Sequence, residues 1–237
     1  MITIRLTLCR YNPASYDGQL EAKAQLVRDA FPEAAAVEVL GSPRDRHRMR
    51  AKVGIAGSES PETVRYVGLE SGDVDVLHIA AAGIQRAMRT LLEALAAEPC
   101  LRASVTMVSF LGTREGDEVI ASLVYSAPID HDPWVAAAGR ARRHAAEEVN
   151  LTLIGQAKGQ RIVTGPDFVT ETYVLKDGRH LRYKHILGHF SNPNAYACQH
   201  TLNWLCDVVK TLMPHASRSF DLLELYCGNG NHTVISV

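Results

Sequence analysis

The sequence predicts an α+β unit with an antiparallel sheet, followed by the first strand of a parallel α/β domain. Three observations carry this. Alternating β-type runs, broken by tight-turn residues, recur up to about residue 187. Helical apolar spacing appears at both ends of that stretch and within it. Near the C-terminus an apolar run, Leu222-Leu-Glu-Leu-Tyr226, passes straight into Cys-Gly-Asn-Gly-Asn231, the pattern of a buried strand entering a glycine turn.

The elements follow in order. Residues 16–31 carry Leu20, Ala24, Val27 and Phe31 at helical spacing, which predicts a helix burying that stripe. Residues 63–68 alternate like a strand, and residues 80–97 form an Ala- and Leu-rich helix that Pro99 ends. Residues 104–111 and 118–125 read as a hairpin about the Gly-Thr-Arg-Glu-Gly-Asp turn at 112–117. A helix over 133–148 starts with Pro133, which suits a first turn. Strands are predicted at 151–157, 168–175 and 181–186, the last two joined through Lys176-Asp-Gly-Arg179, a hairpin turn signal. The last long helix, 194–213, places Cys198, Leu202, Leu205, Val209 and Leu212 on one face, with Asn194 able to cap it. The predicted division is 1–187 and 188–237.

Composition narrows the function classes. Hydrophobic residues make up 46% and charged residues 22%, enough apolar material for a core. The net charge of −1 supplies no global field for nucleic acid, so an RNA partner requires a local basic patch. The five cysteines are scattered, with no C-x-x-C pair, and read as reduced thiols of an intracellular protein. They form neither a disulfide frame nor a zinc site. The histidines show no metal-ligand spacing, so no metal is expected. Cys198 and Cys206 read as core, and Cys227 as a small residue filling a strand end. No apolar run reaches the roughly 18 residues of a membrane helix, and the N-terminus lacks a secretory signal. A cytoplasmic monomer is the expectation.

The glycine turn is the most informative motif. Glu224 in the strand and the glycines Gly228 and Gly230 suit a nucleoside cofactor, because glycine lets the backbone approach a ligand without a Cβ. The third glycine of a dinucleotide fingerprint is absent. G-x-G alone equally fits an ordinary strand–turn–helix junction.

The longer string Leu-Glu-Leu-Tyr-Cys-Gly-Asn-Gly-Asn resembles motif I of the tRNA (uracil-5-)-methyltransferase family. Tyr16-Asp-Gly-Gln-Leu-Glu-Ala-Lys23, Ser42-Pro43, Arg48-Met-Arg-Ala51, Leu153-Ile-Gly155 and Phe190-Ser-Asn-Pro-Asn194 resemble further blocks of the family in order and spacing. The resemblance covers about residues 16–233. It implies an RNA-binding α+β domain followed by the start of a Rossmann-like, S-adenosyl-L-methionine-dependent methyltransferase domain. It also implies methylation of C5 of uridine 54 in the tRNA T arm. Tyr226 and Asn231 match positions that contact S-adenosyl-L-methionine. Asn192 stands where the family usually has Gln, one methylene longer. His232 replaces the family's usual Phe.

In the family, a cysteine thiolate adds to C6 of uracil, C5 then takes the methyl group, and a base removes the C5 proton. The resemblance places the cysteine in a Ser-Cys-Asn-Pro block and the base, a Glu, well downstream of motif I. Neither block occurs in this sequence. The nucleophile and base are expected beyond residue 237, and no catalytic residue is assigned within the chain.

Arg44, Arg46, Arg48, Arg50 and Lys52 recur at every second position. On a strand they would form one row facing phosphates, with Met49, Ala51 and Val53 toward the core. The resemblance places this strand on the tRNA side; Arg48, Arg50 and Lys52 are the expected RNA-binding residues, with Arg50 of the Arg-Met-Arg block foremost. Phe110, at a strand end, either stacks on an unstacked base or belongs to the core. Arg140, Arg142 and Arg143 form a second cluster that reads as a solvated helix face. The alternative to an enzyme is a non-catalytic tRNA-binding module or an inactive fragment.

Overall fold

The computed structural model describes residues 13–34, 36–67, 77–116, 118–212, 224–225, 227–230 and 232–233. A short 3-10 turn, Pro13–Ser15, leads into helix α1 (Tyr16–Ala30). Asp17 in its first turn and Arg28 in its last complement the helix dipole. The predicted stripe does not bury. Only Ala24 is covered, while Val27 and Phe31 remain 45% and 55% exposed. The helix is tied down at its start instead, where Tyr16 Oη accepts the Ser42 N–H at 2.7 Å and Arg44 pairs with Asp17 at 2.5 Å.

Strand β1 (Arg50–Ala56) alternates, with Ala51, Val53 and Ile55 buried. Strand β2 is only Arg65–Tyr66. Thr63, expected to open it, closes a turn by donating to Gly57 O, and Gly68 lies outside the described residues. Helices α2 (Ala82–Ala97) and α3 (Pro99–Arg102) lead to the hairpin of β3 (Val105–Gly112) and β4 (Glu118–Tyr125). Helix α4 (His131–Ala145) then returns the chain to β5 (Asn150–Ala157). Strand β6 (Gln160–Val163) follows, a strand the sequence pattern did not announce. Strands β7 (Phe168–Val174) and β8 (His180–Ile186) form a separate hairpin, and α5 (Ala195–Leu212) ends the regular structure.

The six-stranded sheet runs β2-β1-β3-β4-β5-β6. It is not wholly antiparallel as predicted: β4 and β5 pair in parallel, with Ala121 opposite Leu153. The cause is the connection. A helix between two neighbouring strands carries the chain back to its starting edge, so the second strand must run the same way.

One sheet face, with Val53, Val108, Phe110, Leu123 and Leu153, joins Met88, Leu91 and Trp134 of α2 and α4 in the main core. Trp134 is fully buried and donates to Tyr125 Oη at 2.7 Å, and Tyr125 donates to Leu101 O at 2.9 Å. At one end the opposite face carries Leu111, Ile120 and Ile154, covered by Val169 of β7. The buried stripe of α5 is Ala195, Cys198, Leu202 and Cys206, part of the main core, whereas Leu212 is 59% exposed. Asn194 caps this helix as expected, with Oδ1 accepting the N–H groups of Tyr196 and Ala197 at 3.1 and 3.0 Å.

Candidate cofactor loop and nucleic-acid face

The basic row is only partly a row. Arg50 and Lys52 share one face of β1, and Met49, Ala51 and Val53 are buried as expected. Arg44 and Arg46 lie in a bend after Pro43, with Arg46 at φ 51°. Arg48 sits in isolated bridges to Ala80 and Asn194, and its Nε donates to Arg50 O at 3.0 Å.

Arg50 is half-buried. Its Nη2 donates to His189 O and to Ser191 Oγ, each at 2.6 Å. Burial holds its guanidinium below the ordinary arginine range, opposed by nearby Tyr183. Arg50 therefore clamps the chain segment after β8 and does not present itself to phosphates. Lys52 is exposed and has no ion-pair partner among the described residues. Phe110 is 2% exposed, edge-on to Tyr66 at 6.4 Å. It is a core residue, which excludes the stacking role.

Of the second cluster, Arg140 pairs with Glu98 at 2.6 Å, and Arg142 donates to the carbonyls of Leu151 and Thr164. Arg142 is thus a structural tie, not part of a solvated face.

The segment at 189–194 is bound to the start of β1. Met49 N donates to Pro193 O at 2.7 Å, and Asn194 Nδ2 to Ser42 Oγ at 2.7 Å. Asn192 Oδ1 accepts the Asn194 N–H at 3.0 Å, a local turn that commits this oxygen to the backbone.

The glycine loop rests on this segment. Asn229 N donates to Phe190 O at 3.0 Å, Asn229 Nδ2 to Lys184 O at 2.6 Å, and Gly230 N to Cys227 O at 2.9 Å. Gly228 and Gly230 have φ of 58° and 76°. A Cβ on Gly228 would press on Phe190 O at 3.2 Å. Glycine is needed there for the left-handed turn and for docking on Phe190, besides any ligand approach. Glu224 accepts from Thr233 Oγ1 and pairs with His232 Nδ1 at 3.4 Å, tying the two ends of the loop. Tyr226, Asn231 and most of the strand expected at 222–226 lie outside the described residues; Glu224 is irregular and Leu225 lies in a turn. Cys227 is exposed and fills no strand end. Cys100, Cys198 and Cys206 are also free thiols, the last two buried as expected, while Cys9 lies outside the described residues.

Beneath the loop lies a cluster of buried polar side chains that the sequence pattern did not point to. Strand alternation in β7 and β8 turns Glu171, Tyr173, Tyr183 and His185 inward. Glu171 accepts N–H groups from Arg114 at 2.8 Å and Thr172 at 3.0 Å. Burial nevertheless raises its carboxyl above the usual range. His185 is 1% exposed, and neither ring nitrogen meets a hydrogen-bond partner among the described residues. Burial, reinforced by the charge of Arg50, lowers it to about 4. Tyr183 is buried, and desolvation pushes its hydroxyl up. The alternation at 168–174 and 180–186 was the available signal: it puts Glu171, Tyr173, Tyr183 and His185 on the same inward face as the apolar Val169 and Leu181.

Among the described residues no group of three or more His, Cys, Asp or Glu is placed to hold a metal, and no helix is long and apolar enough to cross a membrane.

Residues 15–236 match the family model of the tRNA (uracil-5-)-methyltransferases. The chain belongs to this family. It is 35% identical over 231 residues to a tRNA/tmRNA (uracil-C(5))-methyltransferase of Acinetobacter baylyi, covering 93% of this chain and 60% of the relative. It is 38% identical over 233 residues to the protein of that name from Pseudomonas paraeruginosa, covering 95% and 60%. The chain thus spans about 60% of the length of these curated relatives. The crystal structure of Pyrococcus abyssi tRNA (uracil-54, C5)-methyltransferase in complex with S-adenosyl-L-homocysteine superposes with a TM-score of 0.63 at 15% identity, over 97% of this chain and 55% of that one. This likeness establishes a shared mixed α/β fold.

Proposed function

We propose that this chain is the RNA-binding part and cofactor loop of an S-adenosyl-L-methionine-dependent tRNA uracil-5-methyltransferase acting on C5 of uridine 54 in the T arm. The observation that carries the reading is the docking of the glycine loop on Phe190, in a segment itself bonded to β1. Two sequence blocks of the family, far apart in the chain, thereby form one surface. The tRNA/tmRNA (uracil-C(5))-methyltransferase relatives support the substrate, and the S-adenosyl-L-homocysteine complex of the Pyrococcus abyssi protein supports the cofactor.

The loop residues fit the cofactor chemically. Gly228 is exposed and Gly230 half-buried, and the loop presents polar backbone without the basic cradle a phosphate would need. Glu224 offers carboxylate oxygens to a nucleoside, and Asn192, Tyr226 and Asn231 complete the proposed set. When bound, S-adenosyl-L-methionine supplies an electrophilic methyl group. On the RNA side Lys52 neutralises phosphate, with Arg48 beside it. The proposed division is an RNA-binding unit at 1–187 and the start of the cofactor domain from 188, in a cytoplasmic, metal-free monomer. The absence of a Ser-Cys-Asn-Pro block favours a second reading for the 237 residues alone, in which they bind tRNA without turnover.

Titration calorimetry with S-adenosyl-L-methionine and filter binding with a T-arm stem-loop test the proposal. Binding of both is expected. Affinity for RNA should fall with salt, and Lys52→Ala should weaken it and reduce the salt slope by about 1. T-arm affinity no greater than for an unrelated stem-loop, together with no binding heat, would overturn it.

A further inference from the structure

The β7–β8 hairpin has two unlike faces. The inner one holds the buried polar cluster. The outer one is turned to solvent and comes from the same alternation: His180, Arg182 and Lys184 of β8 are exposed where Leu181, Tyr183 and His185 are buried. Across the antiparallel pair they stand opposite Val174, Thr172 and Thr170. Directly opposed residues share a face, so no carboxylate stands against Arg182 or Lys184.

Nor is one supplied from nearby. Glu171 is turned inward and buried. Asp177 in the hairpin turn pairs with Arg179 and Lys210, and Asp207 of α5 pairs with Lys176. Glu118 meets the hairpin on the far edge of β7, where its Oε2 accepts the Thr170 N–H at 2.7 Å. Arg182 and Lys184 have no ion-pair partner among the described residues. Elsewhere Arg44, Arg140 and Arg161 are matched with Asp17, Glu98 and Asp167. In a chain of net charge −1, two adjacent unmatched cations on one strand face are a local departure. Lys184 is held without being neutralised: its Nζ lies 4.1 Å from the centre of the Phe168 ring, a diagonal neighbour on the same face.

The row also lies beside the candidate site. Alternate residues of a strand stand roughly 6.5–7 Å apart, close to the spacing of successive phosphates on one RNA strand. At the inner end of the row, Lys184 O accepts from Asn229 Nδ2 of the glycine loop at 2.6 Å. The segment after β8 is gripped by Arg50, which shares its face of β1 with Lys52.

We propose that Arg182 and Lys184, on the outer face of the β7–β8 hairpin, form a contact surface for the RNA sugar–phosphate backbone beside the glycine loop. The proposal rests on the reading of this chain as part of a tRNA methyltransferase. It extends the RNA side from β1 to a hairpin for which the sequence gave no such expectation. Phosphate contacts position a nucleic acid without reading its bases, so the row raises affinity for different RNAs alike.

Filter binding on the 237-residue chain, across a salt series, tests this with the T-arm stem-loop and an unrelated stem-loop as probes. Arg182→Gln and Lys184→Gln should each weaken binding of both probes by about 2- to 5-fold. Each should also reduce the slope of log affinity against log salt by about 0.7–0.9. Arg182→Lys keeps the charge and should keep the slope. Lys158→Gln, in the β5–β6 turn at the sheet edge remote from β1, removes the same charge and should leave both quantities nearly unchanged. Urea midpoints should match wild type throughout, because these side chains are exposed. Wild-type affinity and slope in either glutamine variant of the hairpin overturn the proposal. So does a loss that Lys158→Gln matches, the mark of net charge alone, and so does a loss confined to the T-arm probe, the mark of base reading. A wild-type chain with no affinity for either probe defeats the functional reading and the proposal together. Hairpin variants that bind as tightly as a binding-competent wild type defeat the proposal alone.

Discussion

Arg50 is the residue whose role changes most when its surroundings are known. Its spacing within the basic run marks a solvent-facing side chain, and the strand does put it on the face shared with Lys52. A guanidinium's terminal nitrogen carries two N–H donors, so it can bond two acceptors on a neighbouring segment. Arg50 does this with His189 O and Ser191 Oγ. Spacing reports the face of a strand, but not whether later chain folds over that face. Arg50→Ala should therefore lower stability by about 1–3 kcal/mol in urea unfolding. Arg50→Lys should recover only part of it, because the shorter lysine must bring a more strongly hydrated ammonium into this half-buried position. Lys52→Ala should leave the urea midpoint nearly unchanged, within about 0.5 kcal/mol. A phosphate-facing Arg50 would give the opposite result, a stable variant with weakened RNA binding.

At the scale of elements, local chemistry was a good guide wherever a turn or cap sets the boundary. The Lys176-Asp-Gly-Arg179 hairpin and the Asn194 cap form where those residues direct. Direction and burial were less legible. The parallel β4–β5 pair follows from the placement of α4, which no strand periodicity encodes. The apolar spacing of α1 is real, but it fully buries only Ala24 and leaves Leu20 half-buried. Close approaches were invisible too. Gly83 in the first turn of α2 lies so near the β3–β4 turn that a Cβ would stand 2.2 Å from Gly116 O. Both contacting atoms belong to backbone, so neither can rotate away. Gly83→Ala should force α2 off the hairpin and cost about 1–3 kcal/mol, as for other overpacked sites. A thermal melt showing an unchanged or raised midpoint would contradict that.

For the whole molecule, the buried polar cluster under the loop ties stability to pH. His185 has a native value of about 4, below its ordinary 6.5. The charged group acting on it is Arg50 from β1, which further disfavours protonation; the adjoining Tyr183 ring, from its own strand, keeps its hydroxyl protonated and neutral. The unfolded chain accepts the proton first. Stability from this residue is therefore complete above about pH 6.5 and is lost as pH falls toward 4, by at most roughly 3 kcal/mol. His47, also lowered by burial, acts in the same direction. Urea unfolding at pH 7 and pH 5 should show the decline, and His185→Phe should flatten it. A His185→Phe profile as steep as wild type would place the dependence elsewhere. At this scale the glycine loop and its family were the most legible part of the candidate site, because a contiguous string carries them. The cluster beneath the loop was not, because its members alternate with apolar residues along two strands, β7 and β8.

The bonds between Asn194 and Ser42, and between Pro193 and Met49, also have a temporal meaning. Asn194 and Ser42 are 152 residues apart. At about 5–20 residues per second, a ribosome needs roughly 8–30 s after making Ser42 before it makes its partner. Until then the leading end of β1 has no mate on that side. Closing so long a loop is slow, as long-range pairings generally are. The start of the candidate RNA face is thus among the last parts of the molecule to be completed, after the hairpins and helices that lie between.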